Sequence, residues 1–216
     1  MRSVYSRSVP QKALILSLQT LFLAGTFLLL LTPTIHHGPL GPRVVLLGFG
    51  SIVCLRYWFA MLALIKRELS YSEAGGIVMA FAVYFLGYGY LSLGRRGGID
   101  WVDILAIVIF LFGCFLSTGS ELQRDIWKKD PQNRGKLYTK GLFRFSMHVN
   151  YFGEELWVLA YAVVTRNPFS YIIPALVFAL FAFTQIPDLD GHLARKYGTE
   201  FQEYKSKTKR FIPFVY

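Results

Sequence analysis

The chain has 216 residues, 54% of them hydrophobic, and a formal net charge of +10; its mean hydropathy is +0.41. Soluble domains hold closer to ~45–50% apolar residues. The excess here is gathered into long runs, which excludes an ordinary soluble domain and points to a membrane protein of a single domain, residues 1–216. A positive charge of this size on a soluble chain suggests nucleic acid; the aliphatic runs exclude that partner, and basic loops serve a membrane protein in another way.

A spanning helix needs about 20 mostly apolar residues. Runs of this kind cover 13–31, closed by Pro33; 44–65, interrupted by Arg56; 74–93; and 101–116. After a polar stretch come 151–164 and 171–186, divided by Thr165-Arg166-Asn167-Pro168. The chain therefore reads as an all-α polytopic helix bundle of about six spans, the fifth short enough to start below the membrane surface. Arg2, Arg7 and Lys12 precede the first run as they would in a signal peptide. Its apolar core is too long for an h-region and no small-x-small cleavage site follows, so it is expected to be a retained span. Two cytoplasmic segments are expected to be helical without spanning: 120–130, where Asp125 precedes Lys128 and Lys129 on one face, and 190–205, where Leu193, Tyr197, Phe201 and Tyr204 recur at helical spacing.

Basic residues stay on the cytoplasmic side. With the N-terminus there, that side also receives Lys66, Arg67, the cluster from Arg124 to Arg144 and the tail from Arg195 to Arg210, leaving Arg43, Arg95, Arg96 and Arg166 on the far side. Both termini are thus expected to be cytoplasmic, in the endoplasmic reticulum membrane of a eukaryote or the inner membrane of a bacterium. Cys54 and Cys114 fall inside apolar runs and read as packing residues. His36, His37, His148 and His192 have no metal-ligand spacing, and no Gly-rich phosphate loop is present.

Ionisable groups in spans are functional suspects. Arg56 reads either as such a group or as a structural partner for a neighbouring helix. Glu68 and Glu73, beside Lys66 and Arg67, fit either a substrate-facing acid or a solvated ion-paired loop. Tyr84, Tyr88 and Tyr90 are otherwise packing or belt residues. The stretch "MHVNYFGEELW", 147–157, is unusual because it puts an amide, a phenol and two carboxylates (Asn150, Tyr151, Glu154 and Glu155) at the mouth of a span. On a helix, Asn150, Glu154, Trp157 and Tyr161 share a face, which suits a ligand pocket. Arg124, Lys128, Lys129, Arg134, Lys136, Lys140 and Arg144 before it suit either anionic lipid or a phosphorylated cofactor.

The blocks "ELQRDIWKKDPQNRGKLYTKGLFRFSMHVNYFGEELW" and "HLARKYGTEFQEYKSKTKRFIPF" resemble, in order and spacing, the steroid 5-alpha-reductase C-terminal domain family. "LRYWFAMLALIKRELSYSEA" matches more loosely. The resemblance implies an integral membrane reductase that uses NADPH to reduce a carbon–carbon double bond conjugated to a carbonyl in a lipid or steroid-like molecule. It implies a substrate side in 1–119 and a cofactor-binding region in 120–216. Asn150, Tyr151, Glu154, Asp125, Lys128, Lys129, His192 and Tyr197 would hold the cofactor. Glu68 or Glu73, with Tyr84, would face the substrate carbonyl. A second family, the isoprenylcysteine carboxyl and phospholipid methyltransferases, shares the fold and a similar ending, and its members bind S-adenosylmethionine through "RHPxYxG". Here Met147, His148 and Val149 stand in place of "RHP", which favours the reductase. A third reading is a non-catalytic lipid-binding membrane protein with the same fold.

Overall fold

The computed structural model describes residues 8–35 and 38–216; Arg2, Arg7, His36 and His37, weighed above, lie outside the described residues. All regular structure among the described residues is helical. The helices are α1 (Val9–Leu31), α2 (Leu40–Leu64), α3 (Tyr71–Leu91), α4 (Trp101–Lys129), α5 (Val149–Thr165), α6 (Pro168–Tyr197) and α7 (Thr199–Lys207). Five of them, α1 to α4 and α6, are long and apolar enough to cross a membrane, so the protein is a multi-pass integral membrane protein. The run expected as a short fifth span is helix α5, whose 17 residues leave it outside those five.

Local chemistry accounts for the boundaries. Ser70 caps α3, its Oγ accepting from Glu73 N at 3.1 Å. Asp100 caps α4, its Oδ1 accepting from Val102 N and Asp103 N. Segment 120–130 is not a separate helix but the end of α4: Gly119 alone does not break the helix, and the chain stops only at Asp130-Pro131. The expected tail helix is the end of α6 followed by α7, turned at Gly198, whose φ of +52° suits glycine. In α6 a π turn, Phe181–Gln185, falls just ahead of Pro187, which lacks the N–H that a regular ladder needs. Further π turns occupy Ala60–Leu64 of α2 and Val83–Gly87 of α3.

The residues form two compact units. The first comprises Met1–Val108 and Ala160–Ile173. Its core holds Ile15, Leu30, Val53, Met61, Phe81 and Phe85, with Tyr88 stacked on Tyr161 at 5.1 Å. At one end Arg95 is buried with Asp103, bonded to it at 2.8 and 2.7 Å, and also donates to the carbonyls of Gly97, Gly98 and Val164. Arg43 reaches back to the carbonyls of Leu30, Gly38 and Pro39. Arg166 pairs with Asp100 and Asp103. Three of the four arginines that the charge bias leaves on the far side are therefore structural fasteners.

The second unit comprises Ile109–Leu159 and Pro174–Tyr216. Within it α4 and α5 touch backbone to backbone. A Cβ on Gly113 would lie 2.7 Å from Gly153 O, and one on Gly153 would lie 2.5 Å from Ser117 N. Two clusters complete this core: Leu116, Tyr138, Phe143 and Val149, and Leu137, Met147, Phe201 and Tyr204. The last places the apolar stripe of α7 against the 137–147 loop.

Candidate functional site

The glycine contact in the second unit lets short polar side chains meet. Ser117, Glu121, Arg124 and Lys128 recur at intervals of four and three on α4, hence on one face. Asn150, Glu154 and Trp157 share a face of α5, as their spacing suggested. Ser117 Oγ donates to Glu154 Oε1, whose other oxygen accepts from Trp157 Nε1 at 2.7 Å. Asn150 Nδ2 donates to Glu121 Oε1 at 3.0 Å, and Arg124 pairs with the other oxygen of Glu121. The two helices are thus joined by a polar seam in which each carboxylate is held on both oxygens.

The seam opens into a cleft with a free volume of about 60 Å³. Arg124, Lys128, Asn150, His148, Tyr197 and Tyr204 supply its polar lining, and Tyr138, Phe143, Met147, Leu137, Leu189 and Leu193 the rest. No carboxylate lines it among the described residues. His148 is 1% exposed. Its Nε2 lies 2.7 Å from Asp190 Oδ1, and Arg210 Nε donates to Asp190 Oδ2 at 2.8 Å. The tail is sewn in by Met147 N to Lys209 O, His148 N to Arg210 O and Ser146 Oγ to Phe211 O, at 2.8, 3.1 and 2.7 Å. Tyr204 donates its hydroxyl to Phe143 O at 2.5 Å, and burial pushes its phenol above the ordinary tyrosine range. Gly141 sits at φ +59°, where a Cβ would lie 2.2 Å from the Gln123 Oε1 that accepts from Leu142 N; this accounts for the glycine of "GLFR".

Of the residues expected to hold a cofactor, Lys128, Asn150 and Tyr197 line this cleft. Glu154 is turned into the seam. Asp125 pairs with Lys129 at 3.2 Å beside the cleft lining, and Lys129 is exposed. Tyr151 packs its ring 4.7 Å from Phe181 and 5.9 Å from His148, and His192 is exposed. Arg124, expected only as a member of the basic cluster, belongs to the arrangement, as do Glu121, Asp190 and Tyr204, which had no expected cofactor role. Arg124 and Glu121 were readable from their spacing to Lys128; Asp190 lies 42 residues from His148 and gave no local signal.

The expected substrate-facing residues fall in the first unit. Glu68 is exposed. Glu73 is the third residue of the α3 cap, and both its carboxylate oxygens are engaged by Arg67. Tyr84 lies in the π turn of α3, half-buried, its ring 6.2 Å from Phe81. Cys54 and Cys114 are both buried.

The chain is similar to known proteins of two kinds. The profile of DUF1295, described as a protein of unknown function, matches residues 76–208, more than half the chain. A probable protein-S-isoprenylcysteine O-methyltransferase of Oryza sativa subsp. indica is 31% identical over 84 residues, 39% of this chain and 44% of that one. A Delta(14)-sterol reductase of Saccharomyces cerevisiae is 32% identical over 165 residues, 67% of this chain and 37% of that one. A 3-oxo-5-alpha-steroid 4-dehydrogenase 2 of Sus scrofa is 25% identical over 195 residues, 85% of this chain and 72% of that one. The chain spans less than half the length of the first curated relatives it matches. Among solved structures, a eukaryotic intramembrane Ras methyltransferase (isoprenylcysteine carboxyl methyltransferase) superposes with a TM-score of 0.58 at 18% identity over 91% of this chain and 75% of that chain, a likeness of fold. With a matched profile that covers its α3-to-α7 region, the chain belongs to the DUF1295 family, the steroid 5-alpha-reductase C-terminal family.

Proposed function

We propose that this protein is a membrane reductase that uses NADPH to reduce a carbon–carbon double bond in a lipid enone. The observation that carries this reading is the lining of the cleft: two cations, an amide and phenol rings, with no carboxylate among the described lining residues. Guanidinium and ammonium groups suit a polyanionic nucleotide better than S-adenosylmethionine, which carries a positive sulfonium. The reductase relatives also match more of the chain in sequence than the methyltransferase relatives, 66–85% against 39–54%.

In this reading Arg124 and Lys128 pair with phosphate, Asn150 hydrogen-bonds the nucleotide, and Tyr197 offers a ring face. A free volume of about 60 Å³ is well below the ~300–1,000 Å³ of a typical ligand pocket, so binding opens the cleft further. Bound NADPH supplies the hydride. The chain's own task is to stabilise negative charge that builds on the substrate carbonyl. Glu68 is exposed, outside a dry site in which a donor would meet a substrate carbonyl, and Glu73 has both oxygens on Arg67. Tyr84 is left as the donor. Asp125, Lys129, Tyr151 and Glu154 act at one remove, by ion pairing, hydrogen bonding or packing around the cleft, and exposed His192 meets the nucleotide from the solvent side.

The basic bias of the loops supports a cytoplasmic position for both termini. The 17 residues of α5 reach about 26 Å, close to the ~30 Å hydrocarbon core, so α5 serves as the crossing that makes the number of spans even.

The second reading is a methyltransferase that uses S-adenosylmethionine, favoured by the names of the first relatives. Thermal unfolding in detergent with NADPH, NADH or S-adenosylmethionine separates the two, because a ligand of the folded state raises the midpoint by mass action. The reductase reading expects a shift with NADPH that shrinks in Lys128→Ala and Asn150→Ala. A shift with S-adenosylmethionine alone overturns it.

A further inference from the structure

The first unit contains a polar side chain that its fold does not use. Gln19, on the buried stripe of α1, is 0% exposed, and neither its Nε2 nor its Oε1 has a hydrogen-bond partner among the described residues. A buried amide left this way lowers stability, and more so at membrane depth, where the alternative to a partner is hydrocarbon. Two turns earlier on the same stripe, Lys12 is also buried but fully employed: its Nζ donates to Met61 O at 2.7 Å and Ile65 O at 2.6 Å, beside the π turn of α2.

The surroundings of Gln19 follow from two fixed points. Lys12 meets α2 at Met61 and Ile65, and Leu23 meets it at Gly50, where a Cβ would lie 2.7 Å from Leu23 Cδ1 and 3.6 Å from Tyr161 Oη. Antiparallel packing between these points sets Gln19 level with residues 53–57 of α2. That stretch carries Arg56 and Tyr57, and the Tyr57 ring continues into Phe81 at 4.6 Å and from there to Tyr84 at 6.2 Å. An unpartnered amide therefore sits level with an aromatic stretch that also carries Arg56, bordered by π turns in α2 and α3. Such turns recur at functional sites.

We infer that Gln19 is the hydrogen-bonding hook for the single oxygen of a neutral lipid bound within the first unit. A primary amide offers one donor group and one acceptor, which matches a ketone or hydroxyl oxygen. The lipid enters by parting α1 from α2. The inference rests on the reductase reading for the class of ligand, and it concerns binding, not turnover.

The test uses the full chain in detergent without nucleotide. The probes are cholestenone, cholesterol and cholestane, which carry a ketone, a hydroxyl and no oxygen. Thermal unfolding is followed in wild type, Gln19→Leu and Gln19→Met. Replacing an unpartnered amide by an apolar side chain of similar size raises the unliganded midpoint by roughly 2–4 °C. The same change weakens binding of an oxygenated sterol about tenfold or more and leaves cholestane unaffected. Either variant unfolding below wild type, in both substitutions, means the amide is a structural member and overturns the inference. So does an unchanged affinity for both oxygenated sterols, or no oxygen-dependent shift in wild type. Oxygen-dependent binding that needs Gln19, with no NADPH oxidation in the presence of cholestenone, upholds the hook and counts against the reaction alone.

Discussion

Gly153→Ala is expected to be damaging out of proportion to one methyl group. The added Cβ would lie 2.5 Å from Ser117 N, 2.6 Å from Gly113 O and 3.0 Å from Leu116 Cβ. Two of these three are backbone atoms, so no rotamer change relieves the overlap, and α5 has to retreat from α4 by about 0.9 Å to restore ordinary contact at 3.4 Å. That retreat stretches the Asn150–Glu121 bond, 3.0 Å in the native seam, beyond hydrogen-bonding distance and separates Ser117 from Glu154. Overpacking of this kind costs about 1–3 kcal/mol, and a lost bond to a carboxylate costs a further ~1.5–3 kcal/mol. Partial relaxation brings the net to about 2–3 kcal/mol, a fall in midpoint of about 4–12 °C for a chain of this size. Gly119→Ala is the matched control, on the facing helix α4: its Cβ meets nothing closer than Phe115 at 3.5 Å, so helix propensity makes it neutral or stabilising by up to ~1 kcal/mol. The assay is thermal unfolding of the three proteins in one detergent, with NADPH affinity as a second readout because Asn150 moves with α5. Equal midpoints for Gly153→Ala and Gly119→Ala would falsify the argument that backbone contact at this crossing fixes the seam.

Arg95→Ala leaves Asp103, which is 0% exposed, with only the longer 3.4 Å contact to Arg166 as a charged partner, and should cost about 3 kcal/mol in denaturant titrations, the low end for a broken buried pair; the double change Arg95→Met with Asp103→Leu should recover most of it. Lys12→Met strips the donor from Met61 O and Ile65 O and should lower stability by ~1–3 kcal/mol; a midpoint equal to wild type would mean those carbonyls find another donor. For Tyr204, burial raises the folded phenol above its ordinary value of 10.0, so its contribution is complete below pH 10 and is lost as pH rises from there toward the folded value. Tyr204→Phe should cost ~0.5–1.5 kcal/mol at neutral pH, from the bond to Phe143 O, and should flatten the alkaline fall in stability; an unchanged alkaline slope would refute this.

How much of the site was legible depended on distance along the chain. Asn150, Glu154 and Trp157 share a face because helical periodicity fixes that, and the bond from Trp157 to Glu154 spans three residues. Lys128 and Tyr197 were reached through resemblance and do line the cleft. Asp125 and Lys129, each one position after a member of the Ser117–Glu121–Arg124–Lys128 face, pair with each other beside the cleft. A helix rotates about 100° per residue, so neighbours in sequence point to different surroundings. Glu73 read equally as a substrate-facing acid or a loop ion pair; its backbone N–H donates to Ser70 Oγ three residues earlier and its carboxylate pairs with Arg67, contacts that local spacing brings together.

The sequence by itself determined that the chain is a helical membrane protein, because run length against bilayer thickness is a one-dimensional property. Helix ends at Ser70, Asp100, Asn167 and Asp130-Pro131 are set locally by caps that act over three or four residues, whereas run length alone split α4 into a span and a separate cytoplasmic helix. Only the tertiary structure decided which polar groups meet. Glu121 finds Asn150 across 29 residues, Asp190 finds His148 across 42, and Gln19 finds none among the described residues. Those pairings depend on the rotation and axial register of packed helices. In the second unit, register is set where Gly113 and Gly153 let two backbones touch, a contact between glycines whose consequence no local pattern displays.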